Sequence, residues 1–319
     1  MRSMAGPPRR ALVVVPTHRR SGLLARMVSA LEQQTLPVDD FEVIIVDDGS
    51  QDDTAATLQE LARETKLHLR PMVLETNRGQ GVARNRAWRS SPAPLVAFID
   101  DDCVPDPGWL EAGVQVLEDH PTMGVAQGRT LMGPGEISEW TIYREITGPT
   151  PWFEACNLFV RREALEAAGG FFEDNQGWGC EDTMLGWGVL AAGWGRGFVH
   201  DALVWHDCGV RSVATHVRYG WARGRACMVA RRYPDFRRAL WRPWAVLPEH
   251  AAYCLAVLGG VLAFWKRPFA LLVIPYVQMR RPGRDHPQFF QAAAGRFAVD
   301  TAVFLGMKAG AIKERLFIL

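Results

Sequence analysis

Through the first hundred residues, short apolar runs alternate with segments whose apolar positions recur at helical spacing. Residues 11–15 form a continuous, largely β-branched run, and residues 23–34 place Leu24, Met27, Val28 and Leu31 on one helical stripe. Residues 42–46 repeat the strand pattern, and Asp52 or Asp53 stands where a cap would start a helix running to about Lys66. Residues 72–74, 82–89 and 95–99 continue as strand, short helix and strand. Continuous apolar strands separated by helices predict a mostly parallel sheet with helices on both faces.

Each polar cluster in this region directly follows a strand: Pro16-Thr17-His18, Asp47-Asp48-Gly49-Ser50, Asn77-Arg78-Gly79 and Asp100-Asp101-Asp102. Ligands of open α/β sheets bind at the carboxyl ends of the strands, so these clusters are expected to line one crevice. Beyond Pro105 the pattern predicts a helix at about 107–119 and a strand at 124–126. The stretch from Gly169 to Gly209 then mixes ten glycines with Trp178, Trp187, Trp194 and Trp205, which predicts loops shaped around a ligand rather than a regular core.

The last third changes character. Arg211, Arg218, Arg225 and Arg232 recur every seven residues, and on a helix such a stripe drifts only about 20° per heptad. Val210, Val213, Val217, Trp221 and Met228 form an adjoining stripe, so a basic amphipathic helix is expected. Two apolar stretches follow, 251–265 and 269–277, split by Lys266-Arg267-Pro268. Neither reaches the roughly 20 residues that span a bilayer, so passage through one would need the less apolar Trp244–His250 as well, and the pattern favours a buried or interfacial helical hairpin.

With 48% apolar and 22% charged residues in 319, wholesale disorder is excluded and two cores can form. The expected division is residues 1–208 and residues 209–319. A net charge of +1 hides a split between them: the first part carries 18 basic and 30 acidic side chains, the second 18 and 5. The overall balance speaks against a nucleic-acid binder, whereas a basic second part predicts an anionic surface or partner. Six cysteines without a CxxC pair exclude a zinc ribbon and a small disulfide scaffold, and fit a reducing compartment. The apolar run near the N-terminus stops at Pro16, too soon for a signal-peptide core, so a cytoplasmic protein is expected.

Three consecutive aspartates repel one another unless a cation joins them, and carboxylate oxygens suit Mg2+ or Mn2+. A helix or turn cap with solvated acids is the competing reading. Asp47-Asp48-Gly49-Ser50 reads equally as ordinary βα-turn chemistry or as part of a nucleoside pocket. The run from Gly79 to Arg84 resembles half of a dinucleotide fingerprint, but Arg84 replaces the third glycine and the run follows the wrong strand. Anion binding by a helix N-terminus with Arg78 and Arg84 survives; a nicotinamide site does not. Glu181-Asp182 precedes an apolar helical stretch, where one carboxylate can cap the helix and the other can act as a general base in a tryptophan-walled sugar site. His206, after an apolar run, is either a structural histidine or a metal ligand.

Pro16 to Arg20, Val46 to Ser50, Asn77 to Asn85, Phe98 to Asp102 with Pro105, and Gly177-Trp178-Gly179-Cys180-Glu181-Asp182 resemble, in order, the signatures of family two glycosyltransferases. The last motif is also similar to that of animal galactosyl- and N-acetylgalactosaminyltransferases. The resemblance covers about residues 10–208 and implies a GT-A fold, Rossmann-like, with a basic and mainly helical C-terminal region added. It implies inverting transfer of a hexosyl or N-acetylhexosaminyl group from a nucleoside diphosphate sugar, expected to be UDP-linked, to an acceptor hydroxyl.

Carried over by residue, the resemblance puts Pro16, Thr17, His18, Asp48, Arg84, Asp100 and Asp101 at the nucleotide sugar. Asp102, Asp100 and His206 would hold Mn2+ or Mg2+, Asp182 would be the base with Glu181 beside it, and Trp178 and Asn157 would face the acceptor or sugar. Met184 and Gly188 depart from the family's acid and arginine at those positions, and no Gln-x-x-Arg-Trp element of processive synthases is present. A sugar-phosphate nucleotidyltransferase would need a Gly-rich loop after the first strand, and Pro16-Thr17-His18 is not one. A non-catalytic sugar-nucleotide or carbohydrate-binding module would not need Asp182 beside an intact Asp-x-Asp. The basic second part is expected to place the chain peripherally on the cytoplasmic membrane face, or to serve a lipid-phosphate acceptor.

Overall fold

A computed structural model describes residues 9–135, 138, 140–142, 145–173, 179–240, 248–280 and 289–316. These fall into two compact units, one within Met1–Glu136, Ile142–Gly177 and Glu181–Gly209, the other within Ile137–Thr141, Trp178–Cys180 and Val210–Leu319.

The first unit runs β1 (Ala11–Thr17), α1 (Ser21–Glu32), β2 (Phe41–Asp47), α2 (Thr54–Glu64), β3 (Leu69–Val73), α3 (Gln80–Arg89), β4 (Leu95–Ile99), β5 (Cys103–Pro105), α4 (Trp109–Asp119) and β6 (Met123–Met132). Then come β8 (Asn157–Arg161), α5 (Arg162–Ala168), α6 (Glu181–Ala191) and β9 (Gly195–His206), while the two-residue strands β7 (Thr141–Ile142) and β10 (Gly209–Val210) fall at the unit bounds. Eight strands form one sheet in the order β3-β2-β1-β4-β8-β6-β9-β5. The block β3-β2-β1-β4 is parallel, as the sequence pattern predicts. Beyond it β8 runs antiparallel to β4 and β6, and β5 antiparallel to β9, so the sheet is mixed.

Every residue of β1 is buried. Ala11, Val13 and Val15 join a core cluster with Leu24, Met27 and Leu31 of α1, Leu58 of α2 and Trp109, Leu110 and Val114 of α4. Leu12 and Val14 point to the opposite face, where α3 packs on β1 and β2. Burial of both faces is why these strands read as unbroken apolar runs. The first strand runs one residue past Pro16. The β1–β4 ladder has already ended at Val14–Phe98, so the missing proline donor costs no bond there.

The Gly- and Trp-rich stretch is more regular than the loops expected of it. Its described part holds α6, the helical stretch expected after Glu181-Asp182, and a twelve-residue strand, β9, that the sequence reading did not place. Some of its glycines admit neighbouring side chains, since a Cβ at Gly186 would lie 2.1 Å from the Phe153 ring and one at Gly197 2.5 Å from Met123 Cε, while Gly169, Gly170, Gly179 and Gly193 make turns at positive φ. Trp187 is buried and donates through Nε1 to the Pro151 carbonyl (2.9 Å).

The second unit contains α7 (Val213–Ala222), α8 (Ala226–Arg232), α9 (Pro234–Ala239), α10 (Pro248–Ala263), α11 (Ile274–Arg280) and α12 (Phe289–Lys313), with 3-10 turns at Arg223–Arg225 and Arg267–Val273. The expected amphipathic helix forms with a different buried face. Gly220, Gly224, Cys227 and Ala230 are buried, while Trp221 is half exposed. The cause is backbone approach: a Cβ on Gly224 would lie 2.1 Å from the Gly306 carbonyl oxygen of α12, and one on Gly306 2.3 Å from that of Trp221. Among the described residues no helix is long and apolar enough to cross a membrane.

Candidate active site

The carboxyl ends of β1 and β2 are tied together. Asp48 N donates to the Thr17 carbonyl (2.8 Å), and His18 Nδ1 donates to the Asp48 carbonyl (2.9 Å). The buried Asp48 carboxylate accepts from the backbone N–H groups of Arg78 and Gly79, each at 2.8 Å, and so fixes the loop entering α3. Gly49 has φ +68°, and a Cβ there would lie 2.3 Å from the Thr76 carbonyl carbon, so only glycine fits the turn.

The acid triplet after β4 is held by two arginines. Arg20 Nη1 donates to Asp101 Oδ1 (2.7 Å) and Asp102 Oδ2 (2.8 Å), and Thr17 Oγ1 donates to Asp101 Oδ2 (2.6 Å). Burial pushes the Asp101 carboxyl up to about 6 against the pull of Arg20 and the Thr17 hydroxyl. Burial also weighs against the Arg20 charge, but Asp101 and then Asp102 outweigh it and hold the guanidinium above its ordinary range.

His206 reaches the same acids through strand register. β5 follows the triplet directly and pairs antiparallel with β9, setting Cys103 opposite His206. His206 Nε2 stands 3.7 Å from Asp102 Oδ1, while its Nδ1 donates to the Asp207 carbonyl (2.8 Å). That bond commits Nδ1 as a donor and leaves Nε2 as the nitrogen that faces Asp102 and could take a metal. Ligand atoms of Asp102, Cys103 and His206 lie within 4.8 Å of one another. Burial pushes the Cys103 thiol well above its usual range, and a neutral thiol is a poor ligand for a hard cation. Asp102 and His206 therefore fit a divalent ion taking oxygen and nitrogen donors.

Arg84 connects this corner to α6. Only 2% exposed, it donates to Asp100 Oδ1 (2.6 Å) through Nη2, lies 3.5 Å from Glu181 Oε1 through Nη1, and sits over the Phe171 ring at 5.4 Å. Burial opposes its charge, yet Asp100, Glu181 and Asp182 in that order hold it above the ordinary arginine range. Glu181 and Asp182 occupy the first turn of α6. Asp182 Oδ1 accepts from its neighbour Thr183 N (2.7 Å), and Oδ2 lies 3.3 Å from Ala155 N, which donates to it. Thr183 Oγ1 also donates to Oδ1 (3.4 Å), so the carboxylate is held at the start of α6 by its neighbour and by the chain ahead of β8.

Not every expected site residue belongs here. Asn157 corrects the sequence reading: it is buried within the sheet, where Oδ1 accepts from Trp109 Nε1 (2.8 Å) and Nδ2 donates to the Arg129 (2.8 Å) and Ala202 (2.9 Å) carbonyls. Both amide hydrogens are spent inside the protein, so it presents no donor to an acceptor or sugar. Pro16 is a buried strand residue paired with Val46. Trp178 lies outside the described residues. Arg20 was visible in the Pro-Thr-His-Arg-Arg run, but neither spacing nor chemistry announced that its guanidinium meets the acid triplet. Non-glycine residues with positive φ mark the same region: Arg19 (55°) after β1 and Phe153 (53°) ahead of β8.

Parallel strands ending in carboxylates, a buried arginine joining two acidic elements, and the strand order together define a GT-A-type α/β fold. A mannosyltransferase from Pyrobaculum calidifontis, solved with GDP-Man and Mn2+, superposes with a TM-score of 0.60 at 21% identity, covering 97% of this chain and 89% of its own. Staphylococcus aureus TarS with UDP-GlcNAc gives 0.53 at 16% identity, over 96% and 92% of the two chains. Residues 12–172 match glycosyl transferase family 2, and the chain belongs to that family. Validoxylamine A glucosyltransferase of Streptomyces hygroscopicus subsp. jinggangensis is 30% identical over 222 residues, 57% of this chain and 51% of the relative. The chain thus spans about half the length of that curated relative.

Proposed function

We propose that the first unit transfers a sugar, with inversion, from a nucleoside diphosphate sugar to an acceptor hydroxyl, with Asp182 as general base. The observation that supports this reading best is Arg84, buried between Asp100 at the end of β4 and Glu181 at the start of α6. It fixes the acid triplet and the Glu-Asp pair as one assembly, which a donor on one side and an acceptor on the other would require. Thr17, His18 and Asp48 form the nucleoside end; Asp48 holds the loop whose backbone N–H groups lead into α3, where anion binding is favourable.

Asp102 and His206 would hold a divalent metal, with Asp100 nearer ribose. A mixed carboxylate and imidazole set favours Mn2+ over Mg2+. When bound, the metal neutralises charge on the departing diphosphate. Asp182 takes the acceptor proton as the hydroxyl attacks the anomeric carbon, because a neutral hydroxyl is a weak nucleophile until that proton leaves. We take the donor to be UDP-linked and the sugar a hexose or N-acetylhexosamine; the ligands in the two solved structures named above, UDP-GlcNAc and GDP-Man with Mn2+, are compatible with this class. Residues 1–208 carry the transfer, and residues 209–319 attach the chain peripherally to an anionic membrane face.

A thermal-shift panel of nucleoside diphosphates and their sugars, with and without Mn2+, tests the reading, since a ligand that binds the folded state raises its midpoint. One nucleotide series should raise the midpoint, and Mn2+ should enlarge the rise. A flat response across the panel would overturn nucleotide-sugar binding. Full turnover of metal-free protein in chelator would remove the metal from the scheme.

A further inference from the structure

In the sequence, Lys266 and Arg267 are the only charged residues from Ala251 to Met279. The structure folds this stretch into a hairpin. α10 packs against the 3-10 segment Arg267–Val273, so closely that a Cβ on Gly259 would lie 2.7 Å from Leu272 Cβ and 2.8 Å from the Phe269 carbonyl oxygen. The reversal is hydrogen-bonded: Trp265 N and Lys266 N both donate to the Leu262 carbonyl at 3.0 Å, and Phe269 N donates to that of Lys266 at 3.1 Å.

One side of the hairpin is anchored. Ala252, Tyr253 and Tyr276 form a buried cluster, Tyr253 Oη lies 2.7 Å from Thr301 Oγ1 of α12, and Tyr276 Oη donates to the buried Asp300 (2.9 Å), which also pairs with Arg280. The other side is bare. Phe264 is 93% exposed and Trp265 77%, Leu271 exposes about two thirds of its surface, and Leu258, Val261 and Ile274 about half. Scattered apolar residues on a surface need no explanation, but this many on one short hairpin, with two aromatics at its tip, mark a surface that meets something apolar.

We propose that this hairpin is a wedge that enters the interfacial layer of an anionic bilayer, tip first, with Phe264 and Trp265 among the acyl chains and Lys266 and Arg267 at the headgroups. The proposal deepens the peripheral attachment put forward above by naming the element that makes it. Sixteen residues of α10 extend only about 24 Å, which is too short to span and suits an interfacial element. Tryptophan and snorkelling basic side chains are the residues that settle at that depth. Charge selects the occupant. The only charges between Ala251 and Met279 are the two cations at the tip, so a two-fold pairing of tip on tip would set like charge against like, whereas anionic headgroups are complementary.

Co-sedimentation of the full chain with phosphatidylcholine vesicles, with and without phosphatidylglycerol, tests the wedge. Binding is expected with phosphatidylglycerol at low salt. The double variant F264S/W265S should bind at least roughly tenfold more weakly, because its apolar contact is removed, while its thermal midpoint and its nucleotide response stay unchanged. K266Q/R267Q should lose the dependence on phosphatidylglycerol. Absence of binding by the wild-type chain, or equal binding by F264S/W265S, would overturn the proposal. So would a concentration-dependent wild-type dimer that F264S/W265S abolishes, or binding lost in R218Q/R232Q but kept in F264S/W265S. Glycosyl transfer is assayed separately without vesicles, so failure of the wedge and failure of the transferase reading are distinguishable.

Discussion

Arg20 stands 2.8 Å from Asp102, and through the same nitrogen 2.7 Å from Asp101, so the carboxylate proposed to hold a metal already holds a cation. In metal-free protein this guanidinium relieves the repulsion between adjacent acids, and a divalent ion must share or displace it. Replacing Arg20 with glutamine should therefore tighten Mn2+ binding without nucleotide by roughly tenfold, about the worth of one charge-assisted hydrogen bond, and lower the midpoint of the metal-free protein. Calorimetric titration with Mn2+ alone checks this; unchanged or weaker binding would mean that Arg20 helps to build the metal site rather than competing for it.

Asp182→Asn keeps the capping geometry at Thr183 but cannot accept a proton. Transfer should fall by about 10²–10⁴-fold, the usual contribution of a general base, with the nucleotide-induced thermal shift intact. Unaltered turnover would take Asp182 out of the base role.

Arg84→Met removes the buried charge between Asp100 and Glu181 and breaks both of its ion pairs. A loss of about 3–5 kcal/mol is expected in urea unfolding of the first unit, as for other broken buried pairs. Arg84→Lys keeps the charge but not the fork, and should lose less stability than Arg84→Met.

Asn157→Ala strands the Trp109 indole N–H and two strand carbonyls inside the sheet. Unfolding should become easier by about 2–4 kcal/mol, since unpaired buried polar groups keep their desolvation cost. Donor binding by the folded variant should be unchanged, in contrast to a residue that touches the sugar.

Gly224→Ala places a methyl carbon against the Gly306 carbonyl oxygen, a backbone atom with no rotamer to yield. The helices of the second unit must separate, at about 1–3 kcal/mol. Thermal unfolding followed by circular dichroism should show the loss, and Gly260→Ala, whose added carbon would meet nothing within 4 Å, serves as the control.

How much was legible follows from how local each signal is. β1, β2 and β4 were readable because strands buried on both faces need unbroken apolar runs, and α1 because its buried side repeats at helical spacing. β9 was not: its sequence from Gly195 to His206 interrupts the apolar positions with His200 and Asp201, and its strand character comes from pairing with β6 and β5. α6 was readable as the apolar helical stretch after Glu181-Asp182, but not the packing of the Phe153 ring against Gly186 inside it. The arginine heptad was real as a period, yet the buried stripe is set by glycines that accept the backbone of α12.

The sequence by itself determined the order of strands and helices in the first hundred residues, the placement of acids at strand ends, and the separation of an acidic part from a basic one. Each of these depends on neighbours in the chain or on simple counts. Only the tertiary structure decided that His206 faces Asp102, that Arg84 joins Asp100 to Glu181, that Arg20 closes on the acid triplet, and that Asn157 is spent inside the sheet. Those relationships depend on strand register and on side chains meeting across long loops. A hydrogen bond of about 3 Å tolerates little error in position, and no periodicity in the chain encodes it.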